Sequence, residues 1–177
     1  ANDCLYHWVY GVAATGTFTK AEAMNSLPTG ASGIPEGWTV EVKKEPPYLT
    51  FSADAEQTLT LTKHDNPAAV DFQYSVNGSE WGSATVGEAI AFGGEAGNLR
   101  LRAKSPTGTA SDYDNHYQIR FGNTTPVKCT GDIRTLVDWE NYATANTATA
   151  RFCSLFRNCY ALTTAPELPA ETLADKC

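Results

Sequence analysis

A chain of 177 residues, 42% hydrophobic and 19% charged, lies in the ordinary globular range and has room for one domain or two small ones. Its formal net charge of -7 and pI near 4.9 leave no excess of Lys and Arg to release counterions from phosphates, so nucleic acid and anionic membrane surfaces are poor partners. No apolar run is long enough to span a bilayer, and the opening ANDCLYHW lacks the basic start and apolar stretch of a signal peptide. The targeting segment of a secreted protein is therefore expected outside these residues.

Three textures follow one another. Residues 1–44 hold one apolar stretch, Cys4 to Val12, and then text dominated by Gly, Thr, Ser, Ala and Pro. That stretch cannot make a core alone and is expected to pack on something to its amino-terminal side. Residues 45–125 alternate: YLTF (48–51), TLTLT (58–62), DFQYSV (71–76), NLRLR (98–102) and HYQIRF (116–121) each put apolar residues on one face, as half-buried strands do. Turn chemistry separates them at HDNP (64–67), NG (77–78), GG (93–94) and SPTG (105–108). Short strands at this spacing predict a mainly β fold, a small antiparallel sandwich of the immunoglobulin or fibronectin type, although the Cys and Trp spacing of an antibody domain is absent.

Residues 126–177 change again. TLVDWENYA reads as a short helix with Leu136, Trp139 and Tyr142 or Ala143 on one face, and with Asp132 or Thr135 capping its start. Beyond it, Leu155, Phe156, Leu162, Leu168 and Leu173 are spaced too irregularly for a helical face and too widely for strand alternation, while Pro166 and Pro169 break any helix. A short apolar unit, a turn, a proline-bounded segment and another apolar unit describe one turn of a solenoid.

Candidate binding groups are few. YSVNGSEW (74–81) is a strong hairpin signal, and an exposed Trp81 with Tyr74 would offer a platform for a sugar ring; the alternative is that Trp81 packs over the sandwich edge. Arg100, Arg102 and Arg120 are expected on the outward face of adjacent strands, a basic stripe suited to a carboxylate-bearing ligand unless neighbouring acids neutralise it. SDYDNH (111–116) carries oxygen donors for calcium but lacks the Gly and bidentate Glu of an EF-hand loop, so a solvated loop is the plainer reading. His7, His64 and His116 are far apart, and no metal site or cofactor is expected. Cys4, Cys129, Cys153, Cys159 and Cys177 form no C-x-x-C pair; they read as small buried residues, with a disulfide among the last three as the alternative. Nucleophile elbow, P-loop and dinucleotide fingerprint are all missing, and no catalytic residue is assigned.

FRNCYALTTAPELPAETLADKC (156–177) closely resembles the repeat of the BspA-like leucine-rich surface proteins of Bacteroidetes, F-x-x-C-x-x-L-T-x-A-P-x-L-P-A-x-x-L-A. Phe156, Cys159, Leu162, Thr163, Ala165, Pro166, Leu168, Pro169, Ala170, Leu173 and Ala174 fall on the motif, whereas Arg151 stands where a cysteine eight residues before Cys159 would belong. GDIRTLVDWENY (131–142) is similar to the lead-in before a first repeat. CLYHWVYGVAATGTFTKAEAM and SGIPEGWTV resemble the closing unit and cap of another array, the I-P-x-G-W-x-V phrase being Ile34, Pro35, Gly37, Trp38, Thr39 and Val40.

The resemblance implies a sandwich flanked by leucine-rich-repeat solenoid ends, with continuation of the same chain at both ends. Phe156, Cys159, Leu162, Leu168 and Leu173 are then the repeat core. It further implies a non-enzymatic, cell-surface or secreted scaffold that binds a protein or glycan on another cell or surface. Two other classes stay open: a phage virion fibre or capsid decoration protein, and an accessory carbohydrate-binding module of a larger surface enzyme.

Overall fold

The computed structural model describes residues 10–21, 24, 27–30 and 33–169. Cys4, His7, Ala170, Leu173, Ala174 and Cys177, and most of the Cys4 to Val12 stretch, lie outside the described residues. The chain divides into two compact units, Ala1–Glu45 and Pro46–Cys177.

In the first unit, β1 (Thr17–Ala21) and β2 (Thr39–Lys43) pair in parallel, Thr17 opposite Thr39 and Ala21 opposite Lys43. The phrase IPEGW sets the start of β2. A turn closes with Trp38 N–H donating to Pro35 O at 3.2 Å, and the Trp38 Nε1 donates to Ala13 O at 2.9 Å. Gly16 lets that indole approach, since a Cβ there would stand 2.8 Å from the ring. Little is buried: every residue of β2 is exposed, Val40 and Val42 at 44% each, and Ile34 is the one described apolar core residue of this unit.

The second unit is a sandwich. One sheet has six strands in the order β11-β10-β3-β8-β5-β6, from β3 (Leu49–Ser52), β5 (Phe72–Val76), β6 (Gly82–Ser83), β8 (Leu99–Ala103), β10 (Val127–Thr130) and β11 (Leu162–Thr164). The other has three, ordered β7-β4-β9, from β4 (Gln57–His64), β7 (Ala89–Phe92) and β9 (His116–Phe121). All five strands expected from alternation form. β7 and β10 each put two apolar residues inward, Ile90 with Phe92 and Val127 with Cys129, in runs too short to stand out as alternating text.

Burial follows the period of two. Leu49 and Phe51, Leu59 and Leu61, Leu99 and Leu101, and Ile119 are 0–1% exposed, and they meet between the sheets. Phe51 of the larger sheet lies 6.5 Å from Phe92 and 6.1 Å from Phe121 of the smaller, and Phe72 lies 5.1 Å edge-on from Tyr117. At roughly 1.5–3 kcal/mol for each large side chain so buried, this interior is the main driving force for the unit. Buried Gln57 is fully paired: its Oε1 accepts from the N–H groups of Thr58, Gly122 and Asn123, and its Nε2 donates to Asn123 and Thr125.

The third expected segment, 126–177, is not a separate body, because β10 is an interior strand of the six-stranded sheet, flanked by β3 and β11. TLVDWENYA forms no α-helix. Instead there are two 3₁₀ turns, Ile133–Leu136 and Tyr142–Thr144, the first capped by the Asp132 carboxylate accepting from Arg134 N–H at 2.9 Å. Four apolar residues in that stretch do not line one stripe: Ile133, Leu136 and Val137 go into the core and Trp139 does not.

The leucine-spaced text docks on the sandwich. Leu155 is 1% exposed, and Phe156, Cys159 and Leu162 pack against the same core. β11 adds in parallel to β10, with Val127 opposite Leu162, and Thr163 Oγ1 donates to Val127 O at 2.9 Å. Leu168, expected in a repeat core, is 48% exposed: it sits between Pro166 and Pro169 after the last ladder contact, with no described turn above it to cover it. No solenoid is formed by the described residues.

One end of the sheet is latched. Asp132 N–H donates to Pro47 O at 2.8 Å, Glu167 N–H to Gly131 O at 2.7 Å, and Ile133 N–H to Glu167 O at 3.0 Å. Gly131 is required there: its φ is +93°, and a Cβ would stand 2.1 Å from Tyr48 O.

Candidate functional site

The outward face of the six-stranded sheet carries the one dense cluster of cation and aromatic rings among the described residues. NLRLR builds its centre: with Leu99, Leu101 and Ala103 turned into the core, Arg100 and Arg102 must stand on the other face. Register supplies the neighbours. Leu49 faces Leu101, so Tyr48, one residue earlier, flanks Arg102 on one side, and Gln73 of β5 is opposite Arg102 on the other.

Two tryptophans close over this row from different stretches of chain. The Asn77–Gly78 turn, with φ of 52° and 74°, reverses β5 into β6 and returns Trp81 beside the row. The bridge between Lys104 and Asp138 brings up Trp139. The Arg102 Cζ lies 3.9 Å from the Trp81 ring centroid and 3.7 Å from that of Trp139, so the guanidinium carbon stands over both indoles at once. Tyr48 completes the wall, 4.7 Å from Trp81 and 6.4 Å from Trp139. Lys104 Nζ lies 5.4 Å from the Trp139 ring and pairs with Glu140 at 2.5 Å.

Each cation–π contact is worth about 0.5–2 kcal/mol, so the guanidinium is held in place mainly by ring faces. Its Nε donates to Gln73 Oε1 at 2.9 Å, and no carboxylate among the described residues forms an ion pair with it. Hydrogen bonding to Asn141 and to the Glu140 and Asn141 amides, with Lys104 nearby, holds the Asp138 carboxyl below the usual carboxylate range; it stays ionised beside the cluster.

The expected residues are redistributed. Trp81 and Arg102 meet, but Tyr74 does not join them: it stands opposite Leu101 and Gly82 on the core side, half-buried against the interior. Arg100 shares the outward face, opposite Thr50 and Ser75. Arg120 is not on that face, because β9 belongs to the other sheet; its guanidinium donates to Arg157 O and Gln118 Oε1, so the three arginines form no stripe. Tyr48, Gln73, Lys104 and Trp139 went unassigned. Tyr48 and Gln73 become legible once strand register is known, whereas nothing local marks Trp139.

Other candidates resolve into structure. His64 and His116 come together at the end of β4 and β9, stacked at 5.1 Å and 6°. Each Nδ1 donates to a backbone carbonyl, of Asp114 and Tyr113 respectively, and His116 Nε2 accepts from Gln118, so the pair shares no point where both could ligate an ion. No group of three His, Cys, Asp or Glu that could hold a metal exists among the described residues. In SDYDNH, the Asp112 carboxylate accepts from Asn115 and Asp114 of its own loop, which lowers its pKa. Cys129 and Cys159 carry free thiols; burial pushes Cys129 up to about 12 and raises Cys159, whose Sγ donates to Ile119 O at 3.0 Å. The Cys153 sulfur lies 3.1 Å from Asp112 O. No described helix is long and apolar enough to cross a membrane.

No family model matches the chain, and neither a curated protein nor a solved structure matches it.

Proposed function

We propose that this chain is part of a non-enzymatic extracellular surface protein, a scaffold in which a sandwich of the immunoglobulin or fibronectin type stands between leucine-rich units. The observation that carries the reading is the parallel addition of β11 at the outer edge of the sheet. A strand in that position leaves a row of backbone donors and acceptors toward a further strand running the same way, which is how a solenoid propagates. The first unit supports the same reading. β1 and β2 are parallel at an offset of about 22 residues, within the 20–29 of leucine-rich repeats.

Function then lies in multivalency. Inward Leu and Cys set the fold of each turn, outward Thr, Glu and Asp are free to vary, and repetition of weak contacts along one chain raises avidity by orders of magnitude without any new contact. The partner is a protein or glycan on another cell or surface. The test is the peptide sequence of the native protein beyond Cys177, with binding of that protein to intact cells. Further F-x-x-C-x-x-L-T units and saturable cell binding are expected; a native chain that stops at Cys177, or one that binds no surface, overturns the proposal.

A further inference from the structure

We propose that the outward face around Arg102 binds the carboxylate of an acidic saccharide. This rests on the reading of the chain as a surface-binding protein and names the chemistry of one of its sites. Arg102 has five N–H donors, of which one, at Nε, is used by Gln73; the four at Nη1 and Nη2 have no acceptor among the described residues. Trp81 and Trp139 both lie within 4 Å of its Cζ, so the open Nη groups are the part of the guanidinium left to a ligand. A guanidinium with both Nη groups open has the fork that a bidentate carboxylate contact needs. The stack also removes the cost of ordering this side chain on binding, because it is already held in one orientation.

The surroundings favour a sugar acid over a peptide. Arg102 occupies one face of Trp81 and one of Trp139, with Tyr48 edge-on to Trp81 and Lys104 near Trp139, so the rings serve first to hold the cation. Along the same face stand the small polar groups Thr50, which faces Arg100, and Gln73 and Ser83, which face each other, while Ser75 is buried with its hydroxyl given to Ser79 O. The Thr50 and Ser83 hydroxyls and the Gln73 amide suit the hydroxyls of a saccharide, whereas an extended peptide wants a free strand edge, and β8 is interior. Lys104 is paired with Glu140 at the rim and Asp138 is ionised nearby, so the cation left for the ligand is Arg102 itself.

The experiment is calorimetric titration of the 177-residue chain with an oligogalacturonate, its methyl ester and an oligoglutamate peptide, alongside Arg102→Lys and Arg102→Gln. Arg102→Lys keeps a cation beside the indoles but has no fork, so it separates recognition from folding. Expected are saturable binding of the oligogalacturonate that weakens with salt, none of the ester, and a loss of about tenfold or more in both variants with the melting temperature of Arg102→Lys within a few degrees of the parent. Equal binding of the ester, preference for the peptide, unchanged affinity in Arg102→Lys, or no binding of the oligogalacturonate overturns the site. Intact-cell binding that persists in Arg102→Lys, together with any of those results, removes the site while leaving the scaffold reading standing; loss of cell binding by the parent chain's native protein removes the scaffold reading first.

Discussion

The described residues contain two parallel strand pairs, and only one of them is part of a core. β10–β11 carries Val127 and Cys129 fully buried, is backed by Leu155 and Phe156 from the segment that joins the two strands, and is latched at its end through Asp132 and Glu167. β1–β2 has the same direction and a longer register, yet its residues are exposed or half-buried and its valines face outward. Backbone pairing is thus equally available to both. What differs is cover, and a parallel pair without cover lacks the apolar burial that offsets the entropy of ordering it.

Core substitution should separate the two pairs most sharply. Leu155→Ala is expected to cost about 2–5 kcal/mol and to lower the urea midpoint accordingly, while Val42→Ala, at an exposed position, should stay within about 0.5 kcal/mol. Equal effects would mean that β2 is covered in solution. Next comes the latch. Asp132 is buried, caps the 3₁₀ turn and receives three hydrogen bonds from the Arg134 Nε and Nη2, so Asp132→Ala should destabilise by about 1–3 kcal/mol, and Asp132→Asn, which keeps an oxygen for the cap, by less.

A third test uses pH. The Cys129 thiol sits at about 12 when folded against an ordinary 9.0, so below pH 9 both folded and unfolded chains hold the proton and its contribution is fully present. Between pH 9 and 12 the unfolded chain releases that proton and the folded chain does not, so stability is lost as pH rises through this window. The denaturation midpoint of Cys129→Ala should fall less steeply over the same range. The smallest effect is expected from the exposed Lys104–Glu140 pair, where Glu140→Gln should change stability by about 0–1 kcal/mol.

How much could be read from the residues alone tracks the same division. Alternation locates β3, β4, β5, β8 and β9 because each has two or three apolar residues facing the core at a period of two. It does not locate β10, where VKCT puts a cysteine in the place that Phe51 takes in β3, and it assigns a helix to text whose apolar side chains the sandwich takes up on 3₁₀ turns. The site was half visible. Trp81 and Arg102 were marked by an N-G turn and by NLRLR, but their meeting depends on register, and Trp139 arrives through a long-range bridge that no local pattern encodes. Arg120 was misplaced for the converse reason: alternation gives the face of a strand and says nothing about which sheet holds it.

The latch of Pro47, Asp132 and Glu167 determines where load would go if this chain were pulled. Tension entering before Pro47 and leaving after Glu167 meets three backbone hydrogen bonds at one end of the sheet, all routed through the Gly131 to Ile133 corner. As long as they hold, force crosses from one end of the unit's chain to the other by that corner and never stretches β4 to β9. The sandwich hangs to one side of the load path as a slack loop, and its Arg102 face keeps its shape while the tether is taut.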